Sequence, residues 1–72
     1  MNGERTAVNR VRLARLESRQ TQAELADRVG VTRQTIGLIE AGGYNPSLNL
    51  CLGLARATGK TLDELFWIEG DE

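Results

Sequence analysis

The chain has 72 residues, a net charge of −1, one cysteine and no histidine. This length allows one small domain with a single core, the lone cysteine excludes an internal disulfide, and the lack of histidine argues against a metal site. The apolar runs are too short to span a membrane, and the first residues lack the hydrophobic segment of a signal peptide. We therefore expect a cytoplasmic protein in which residues 1–72 form one domain without a bound metal or membrane contact.

Helical spacing and capping residues predict the first two helices. The first should run from about Asn9, its cap, to Ser18. Its apolar positions are Val11, Leu13, Ala14 and Leu16. The second should begin after a capping box of Thr21 and Glu24, in which each side chain satisfies a free N–H group of the other residue. Both helices are short, as a single small core requires.

The second and third helices are predicted to be separated by a turn of three or four residues. The apolar face of the second consists of Leu25, Ala26 and Val29. Gly30 follows where a chain leaving a helix often needs a positive φ. Thr32 can cap the next helix, which would direct Ile36 and Ile39 inward. Residues 21–42 are therefore predicted to form a helix-turn-helix.

The second half of the chain predicts a loop and two further helices. Residues 42–46 contain two glycines and a proline, which favour a loop. Ser47 should cap a fourth helix that continues to about Thr58 and ends at Gly59.

The last helix and the chain ends complete the predicted domain. Thr61 and Glu64 form a second capping box, for a short helix through Phe66. Residues 6–8 and 66–68 are short, β-prone or apolar segments that border the helical core. They could be two frayed tails, but the cost of leaving apolar side chains in water opposes that alternative.

The first turn of the third helix carries side chains suited to DNA bases. Arginine binds guanine edges in the major groove and glutamine binds adenine edges, both bidentately. Arg33 and Gln34 are therefore predicted to contact bases. Thr35 would offer a methyl group to thymine or a hydroxyl group to phosphate. Together with the helix-turn-helix, these residues predict a DNA-binding protein.

The distribution of charge is compatible with DNA binding in spite of the negative total. Residues 1–36 contain seven arginines and four acidic residues, a net charge of +3, whereas residues 37–72 contain two basic and six acidic residues, a net charge of −4. Binding depends on the charge that faces the phosphates and not on the total. We expect the acidic end, with Glu69, Asp71 and Glu72, to point away from DNA.

Several segments resemble the lambda-repressor/Cro-like, or XRE, family of bacterial and phage regulators. The resemblance extends from about Val8 to Phe66. Its segments are 21–26 (TQAELA), 31–36 (VTRQTI), 39–42 (IEAG), 44–48 (YNPSL) and 62–66 (LDELF). Five matching segments in the same order and spacing are more specific than a helix-turn-helix pattern alone. The resemblance implies an all-α, compact five-helix lambda-repressor-like domain. It also implies that residues 6–8 and 66–68 pair as a small antiparallel ribbon, as the ends of short family members can.

Further residues are assigned to the DNA backbone. Gln22 opens the second helix, where N–H groups and the helix dipole attract a phosphate, and the resemblance supports that contact. Tyr44 and Asn45 border the loop that lies beside the DNA backbone in the family. Thr32 is assigned to the same class of contact.

Other positions concern the framework of the motif. Arg15 and Glu40 resemble a family pair in which the first helix bonds the end of the third, so we interpret them as a structural ion pair. Gly37 and Gly43 stand where many relatives carry a polar residue and a lysine, respectively, which removes potential DNA contacts. Leu38 could meet a thymine methyl group or the edge of the core.

The C-terminal segment, residues 61–69, is predicted to mediate homodimerisation. Leu62, Leu65 and Phe66 fall on one side of the last helix, and so small a core cannot easily bury all of them with the apolar residues that follow. A two-fold interface places the same patch on both subunits, as a palindromic operator requires. The predicted interface residues are Asn45, Pro46, Leu62, Leu65, Trp67 and Ile68.

The sequence as a whole predicts a sequence-specific transcriptional regulator, a repressor that binds a near-palindromic double-stranded operator as a homodimer. One alternative is an antitoxin or restriction-modification controller of the same fold. Another is a protein-interaction module that has lost DNA binding, which the acidic composition favours. The sequence carries no recognisable catalytic constellation and no cofactor motif, so we expect neither an enzyme nor a bound cofactor.

Overall fold

The computed structural model describes residues 6–69, so Asp71 and Glu72 of the predicted acidic end lie outside the described residues. The first and last elements are strands, and helices fill the space between them. In chain order the elements are β1 (Thr6–Asn9), α1 (Val11–Glu17), α2 (Gln22–Val29), α3 (Arg33–Glu40), α4 (Leu48–Thr58), α5 (Leu62–Leu65) and β2 (Phe66–Glu69). None of the helices in this part of the chain is long and apolar enough to cross a membrane.

The predicted capping residues Thr21, Gly30 and Thr32 are confirmed, whereas α3 ends at Glu40, two residues before the predicted Gly42. Thr21 and Glu24 form the capping box at the start of α2. Gly30 ends α2 with a φ of 80°, a backbone conformation that glycine adopts without a steric penalty. The hydroxyl group of Thr32 accepts the N–H group of Thr35 at 3.2 Å and so caps α3. The turn between α2 and α3 is therefore fixed by local hydrogen bonds.

Helix α1 differs from its prediction at its start and in its buried face. It begins at Val11, with Arg10 in the cap position, although the Oδ1 atom of Asn9 accepts the Val11 N–H group at 3.0 Å. Leu13 and Leu16, two of the four apolar positions expected on this helix, are 52% and 49% exposed. The inward stripe consists instead of Val11, Ala14 and Arg15. This stripe follows the helical spacing of three and four residues, which turns the two leucines to the other side.

The chain ends pair as predicted, and the tail alternative is wrong. Strands β1 and β2 are antiparallel, with Val8 opposite Trp67 and Asn9 opposite Phe66. Helix α5 ends at Leu65, one residue earlier than predicted, because Phe66 is extended (φ −133°, ψ 137°) and opens β2. The ribbon therefore joins the two ends of the described chain directly.

The core lies between the helices and holds the two helices of the motif together. Its largest fully buried side chains are Val11, Leu25, Ile36, Ile39, Leu54 and Leu65. Ala26 is 2% exposed, which is consistent with a close approach of α2 and α3. Each fully buried leucine or isoleucine contributes about 1.5–3 kcal/mol relative to its exposed state. Since the isoleucines of α3 pack in the core, the opposite face of this helix is exposed to solvent.

Candidate nucleic-acid interface

The first turn of α3 presents its predicted base-contacting side chains to solvent. Arg33 and Gln34 are exposed, whereas Thr35 is half-buried. The hydroxyl group of Thr35 lies 3.0 Å from that of Thr32, so part of its hydrogen-bonding capacity is used within the protein. Its methyl group is not involved in that bond. The two longest side chains of this turn are therefore the ones that reach outward.

Gln22 lies beside this turn and bonds residues on both sides of it. Its Nε2 atom donates to Oε1 of Glu40 at 3.0 Å, and its Oε1 atom accepts from Nη1 of Arg33 at 3.1 Å. An amide nitrogen has two hydrogens, so one donor remains for another acceptor. Sequence reasoning placed Gln22 at the phosphate backbone but missed its contacts with Arg33 and Glu40.

Arg15 and Glu40 form an ion pair at the junction of α1 and α3. The Nε atom of Arg15 donates to Oε2 of Glu40 at 2.6 Å, and its Nη2 atom donates to Oε1 at 3.2 Å. Nη1 donates to the carbonyl group of Gln20 at 2.9 Å. The side chains of Arg15 and Glu40 are only 10% and 4% exposed. The pair is therefore bidentate and largely removed from water.

The loop after α3 carries Tyr44, Asn45 and Pro46. Tyr44 is 46% exposed, Asn45 is exposed and Pro46 is half-buried. They line a groove together with residues of the terminal ribbon and of α4, including Val8, Cys51, Phe66 and Ile68. Burial raises the pKa of the Cys51 thiol above its usual 9.0, so even less thiolate is present near neutral pH than in an exposed cysteine.

The predicted dimer residues differ widely in their exposure. Leu65 is fully buried in the core of the chain, so the prediction that it lies in a dimer interface is wrong. Leu62 and Trp67 are half-buried, and the guanidinium group of Arg10 lies 4.8 Å from the centre of the Trp67 ring. Ile68 is 59% exposed. Of the predicted apolar residues, only Ile68 is thus largely open to a partner.

Exposed leucines on α4 extend the apolar surface beyond the predicted segment. Leu48 and Leu52 are 64% and 48% exposed, and their spacing of four residues places them on one side of the helix. Sequence reasoning missed both. The sequence of α4 carries a signal for this exposure, because its apolar residues lie on more than one face. A helix that buries one face needs apolar residues on that face only.

The two glycines that depart from the family pattern have room for a side chain. A Cβ atom on Gly37 would lie 3.8 Å from the Nε2 atom of Gln22, and one on Gly43 would lie 3.9 Å from the carbonyl oxygen of Leu38. Both distances are ordinary van der Waals contacts. Packing therefore does not require glycine at either position. Leu38 itself is 44% exposed, so its side chain is not part of the buried core.

Comparison with known proteins assigns the family. A helix-turn-helix family model matches residues 11–65. The chain belongs to this family. The predicted resemblance to lambda-repressor/Cro-like, XRE-type regulators is thereby confirmed at the level of the family.

Similar proteins occur in both bacteria and archaea. An uncharacterized HTH-type transcriptional regulator of Methanothermobacter thermautotrophicus is 48% identical over 62 residues, which cover 85% of this chain and 90% of that protein. The uncharacterized HTH-type transcriptional regulator YgzD of Bacillus subtilis is 41% identical over 61 residues, with 85% and 92% covered. The crystal structure of a protein from Bacteroides fragilis superimposes on this chain with a TM-score of 0.78 at 23% sequence identity. The superposition covers 85% of this chain and 98% of that chain. This structural similarity supports the fold.

Proposed function

We propose that the protein is a sequence-specific DNA-binding transcriptional regulator of the cytoplasm, a repressor that binds a near-palindromic operator as a homodimer. The observation that carries the proposal is the exposed first turn of α3, where Arg33 and Gln34 extend from a helix whose other face is buried. HTH-type relatives that match over most of their length support it. Occupation of a promoter by the dimer would exclude polymerase.

In this proposal the first turn of α3 contacts base edges in the major groove. Arg33 would bind guanine, and Gln34 would bind adenine. Thr35 would contribute its methyl group to thymine, because its hydroxyl group is already paired with that of Thr32. These three residues would determine the preferred sequence.

Backbone contacts would flank the base contacts at both ends of the motif. Gln22, at the start of α2, has one amide hydrogen left for a phosphate, and the helix N-terminus adds N–H groups and a favourable dipole. At the other end, the exposed Tyr44 and Asn45 would bind phosphate, and the exposed Thr32 would contribute between them. Such contacts fix the orientation of the protein without reading the sequence.

The proposed dimer would use the surface around the terminal ribbon. Ile68 is the most exposed of its predicted apolar members, and Asn45 and Pro46 lie in the same groove. Leu62 and Trp67 would add their accessible parts, and Leu48 and Leu52 would extend the patch along α4. A two-fold arrangement would separate the recognition helices by about 34 Å, one turn of DNA.

The DNA-binding part is tested by selection of bound DNA from a random pool, followed by affinity measurements on the selected site. Arg33→Ala and Gln34→Ala should each weaken binding to that site by about 1–3 kcal/mol and relax the preference at one position. Arg56→Ala is a matched control, because Arg56 is an exposed arginine at the end of α4. No enrichment of any sequence, or an equal effect of all three variants, would contradict base recognition by α3.

The dimer is tested by sedimentation at micromolar concentration. Ile68→Asp should produce monomers and weaken operator binding, because it puts a charge into the proposed interface. Leu13→Asp is the matched control: Leu13 is 52% exposed on α1, outside the proposed patch. A wild-type monomer that binds one half-site with full affinity would refute the dimer.

A further inference from the structure

Four polar side chains form a continuous chain of hydrogen bonds from the interior to the recognition surface. Arg15 donates to both carboxylate oxygens of Glu40 at 2.6 and 3.2 Å. Glu40 accepts the Gln22 amide at 3.0 Å, and Gln22 accepts Arg33 at 3.1 Å. The exposure rises along the chain, from a Glu40 side chain that is 4% exposed to an exposed Arg33.

The chemistry of each link determines the orientation of the next. An ionised carboxylate only accepts hydrogen bonds, and a guanidinium group only donates them. Glu40 therefore requires the NH₂ end of the Gln22 amide, which leaves the carbonyl end for Arg33. In the flipped orientation, the carbonyl group would face a carboxylate and the NH₂ group would face a guanidinium group. Neither pair could form a hydrogen bond.

We propose that Glu40 is a positioning residue for base recognition, because it acts through Gln22 to fix the direction of Arg33. The inference rests on the proposed function, in which Arg33 contacts guanine. Holding the guanidinium group in place before DNA binds reduces the conformational entropy lost on binding. Arginine has five N–H donors, so a bond to Gln22 leaves enough of them for a bidentate contact. Glu40 would thus influence sequence preference although it is buried.

Glu40→Gln tests this chain with little change in volume. The new amide can offer either an oxygen or an NH₂ group to Gln22, so the orientation of Gln22 is no longer fixed. Glu17→Gln is the matched control, because Glu17 is a half-exposed glutamate that pairs with Lys60 at 3.0 Å and lies outside the chain of hydrogen bonds. Thermal unfolding of Glu40→Gln and Glu17→Gln checks that both variants are folded at the temperature of the measurements.

The first measurement uses the free protein and does not depend on DNA. Glu40→Gln should shift the nuclear magnetic resonance signals of the Gln22 side-chain amide and of the Arg33 guanidinium group. Glu17→Gln should leave both unchanged. Unshifted Arg33 signals in folded Glu40→Gln would overturn the proposal, whatever the protein binds.

The second measurement is the base preference on the selected site. Glu40→Gln should lose about tenfold in discrimination at the base pair where Arg33→Ala loses it, and should keep the preference that depends on Gln34. If Glu40→Gln does not fold, Gln22→Met replaces it: this variant leaves the Arg15 and Glu40 pair intact and should lose the same preference. Full discrimination at the Arg33 position, or equal losses at every position, would overturn the inference.

The two measurements separate this inference from the proposed function. A wild-type protein without any sequence preference would refute the proposed function, and the resonance shift of Arg33 would still decide whether Glu40 positions it. Conversely, normal sequence selection with an unaffected Arg33 position would refute only the role of Glu40.

Discussion

Removing Arg15 should destabilise the domain severely, because it leaves a buried carboxylate with one neutral partner. Glu40 would lose two hydrogen bonds from arginine, and only the Gln22 amide would remain. Its side chain is 4% exposed, so water cannot easily replace the lost donors. Breaking a buried ion pair in this way costs about 3–5 kcal/mol. A domain stabilised by roughly 5–15 kcal/mol would lose much of its total stability.

For Arg15→Met, this loss in the free energy of unfolding is measured by urea unfolding at pH 7, monitored by the circular dichroism of the helices. In thermal unfolding of the same variant, the melting temperature should fall by about 12 °C or more, because each kcal/mol corresponds to roughly 4–8 °C in a domain of this size. The double variant Arg15→Met with Glu40→Leu should recover most of the stability, since replacing both charges by apolar groups removes the stranded carboxylate. A loss below about 1 kcal/mol, as for an exposed pair, or no recovery in the double variant would refute this reasoning.

Three further predictions concern stability and reactivity. Gly37→Ala should stabilise the domain by about 1 kcal/mol, because alanine favours a helix interior by that amount and the first atom outside α3 that its Cβ would meet is 3.8 Å away. Gly30→Ala should destabilise the domain by about 1 kcal/mol, because the φ of Gly30 is 80°. Thermal unfolding in which both changes have the same sign would contradict this. The backbone N–H group of Thr61 holds the pKa of Glu64 below its usual 4.5, so the stability that Glu64 adds is present above pH 4.5 and is lost as the pH falls through the lower folded value. Glu64→Gln should therefore flatten the melting temperature against pH below about 4.5, and an unchanged profile would contradict it. Because burial raises its pKa, Cys51 should react with a thiol reagent at pH 7 more slowly in the folded than in the urea-unfolded protein, and equal rates would contradict this.

The helix boundaries that the sequence predicts best are those set by local hydrogen bonds. The caps at Thr21, Thr32 and Ser47 accept N–H groups three residues ahead, and Gly59 ends α4 with a φ of 72°. Such signals lie within a few residues of each other, so spacing alone reveals them. The predicted start of α1 is less accurate, since Asn9 belongs to a strand that pairs with the distant end of the chain.

Burial in α1 and α5 depended on contacts that the sequence does not specify. Leu13 and Leu16 are as apolar as any core residue, yet the buried place on α1 is taken by Arg15, whose partner lies 25 residues away. The small size of the core predicts that Leu65 meets a partner subunit. In the structure Leu65 is fully buried, whereas Leu13 and Leu16 remain about half exposed. Which of several apolar side chains becomes buried depends on tertiary packing, which outweighs local pattern.

The candidate site shows the same division between local pattern and distant contact. Exposure of Arg33 and Gln34 followed from helical spacing, because Ile36 and Ile39 had to face the core. The bond between Gln22 and Arg33 joins residues 11 positions apart across the turn, and it depends on the rotamers of two flexible side chains. Spacing predicts that both residues lie near DNA but not that they touch each other.

This contact changes what a substitution of Gln22 should do in the proposed complex. Sequence reasoning assigns Gln22 to phosphate alone, so its loss would weaken binding to all DNA equally. In the structure one N–H bond of the amide is directed to Glu40, and the other remains for a phosphate. A phosphate and Glu40 both require the NH₂ end, so they favour the same orientation, in which the carbonyl group holds Arg33. Backbone binding and base recognition would therefore be coupled through one side chain, and loss of Gln22 should reduce both.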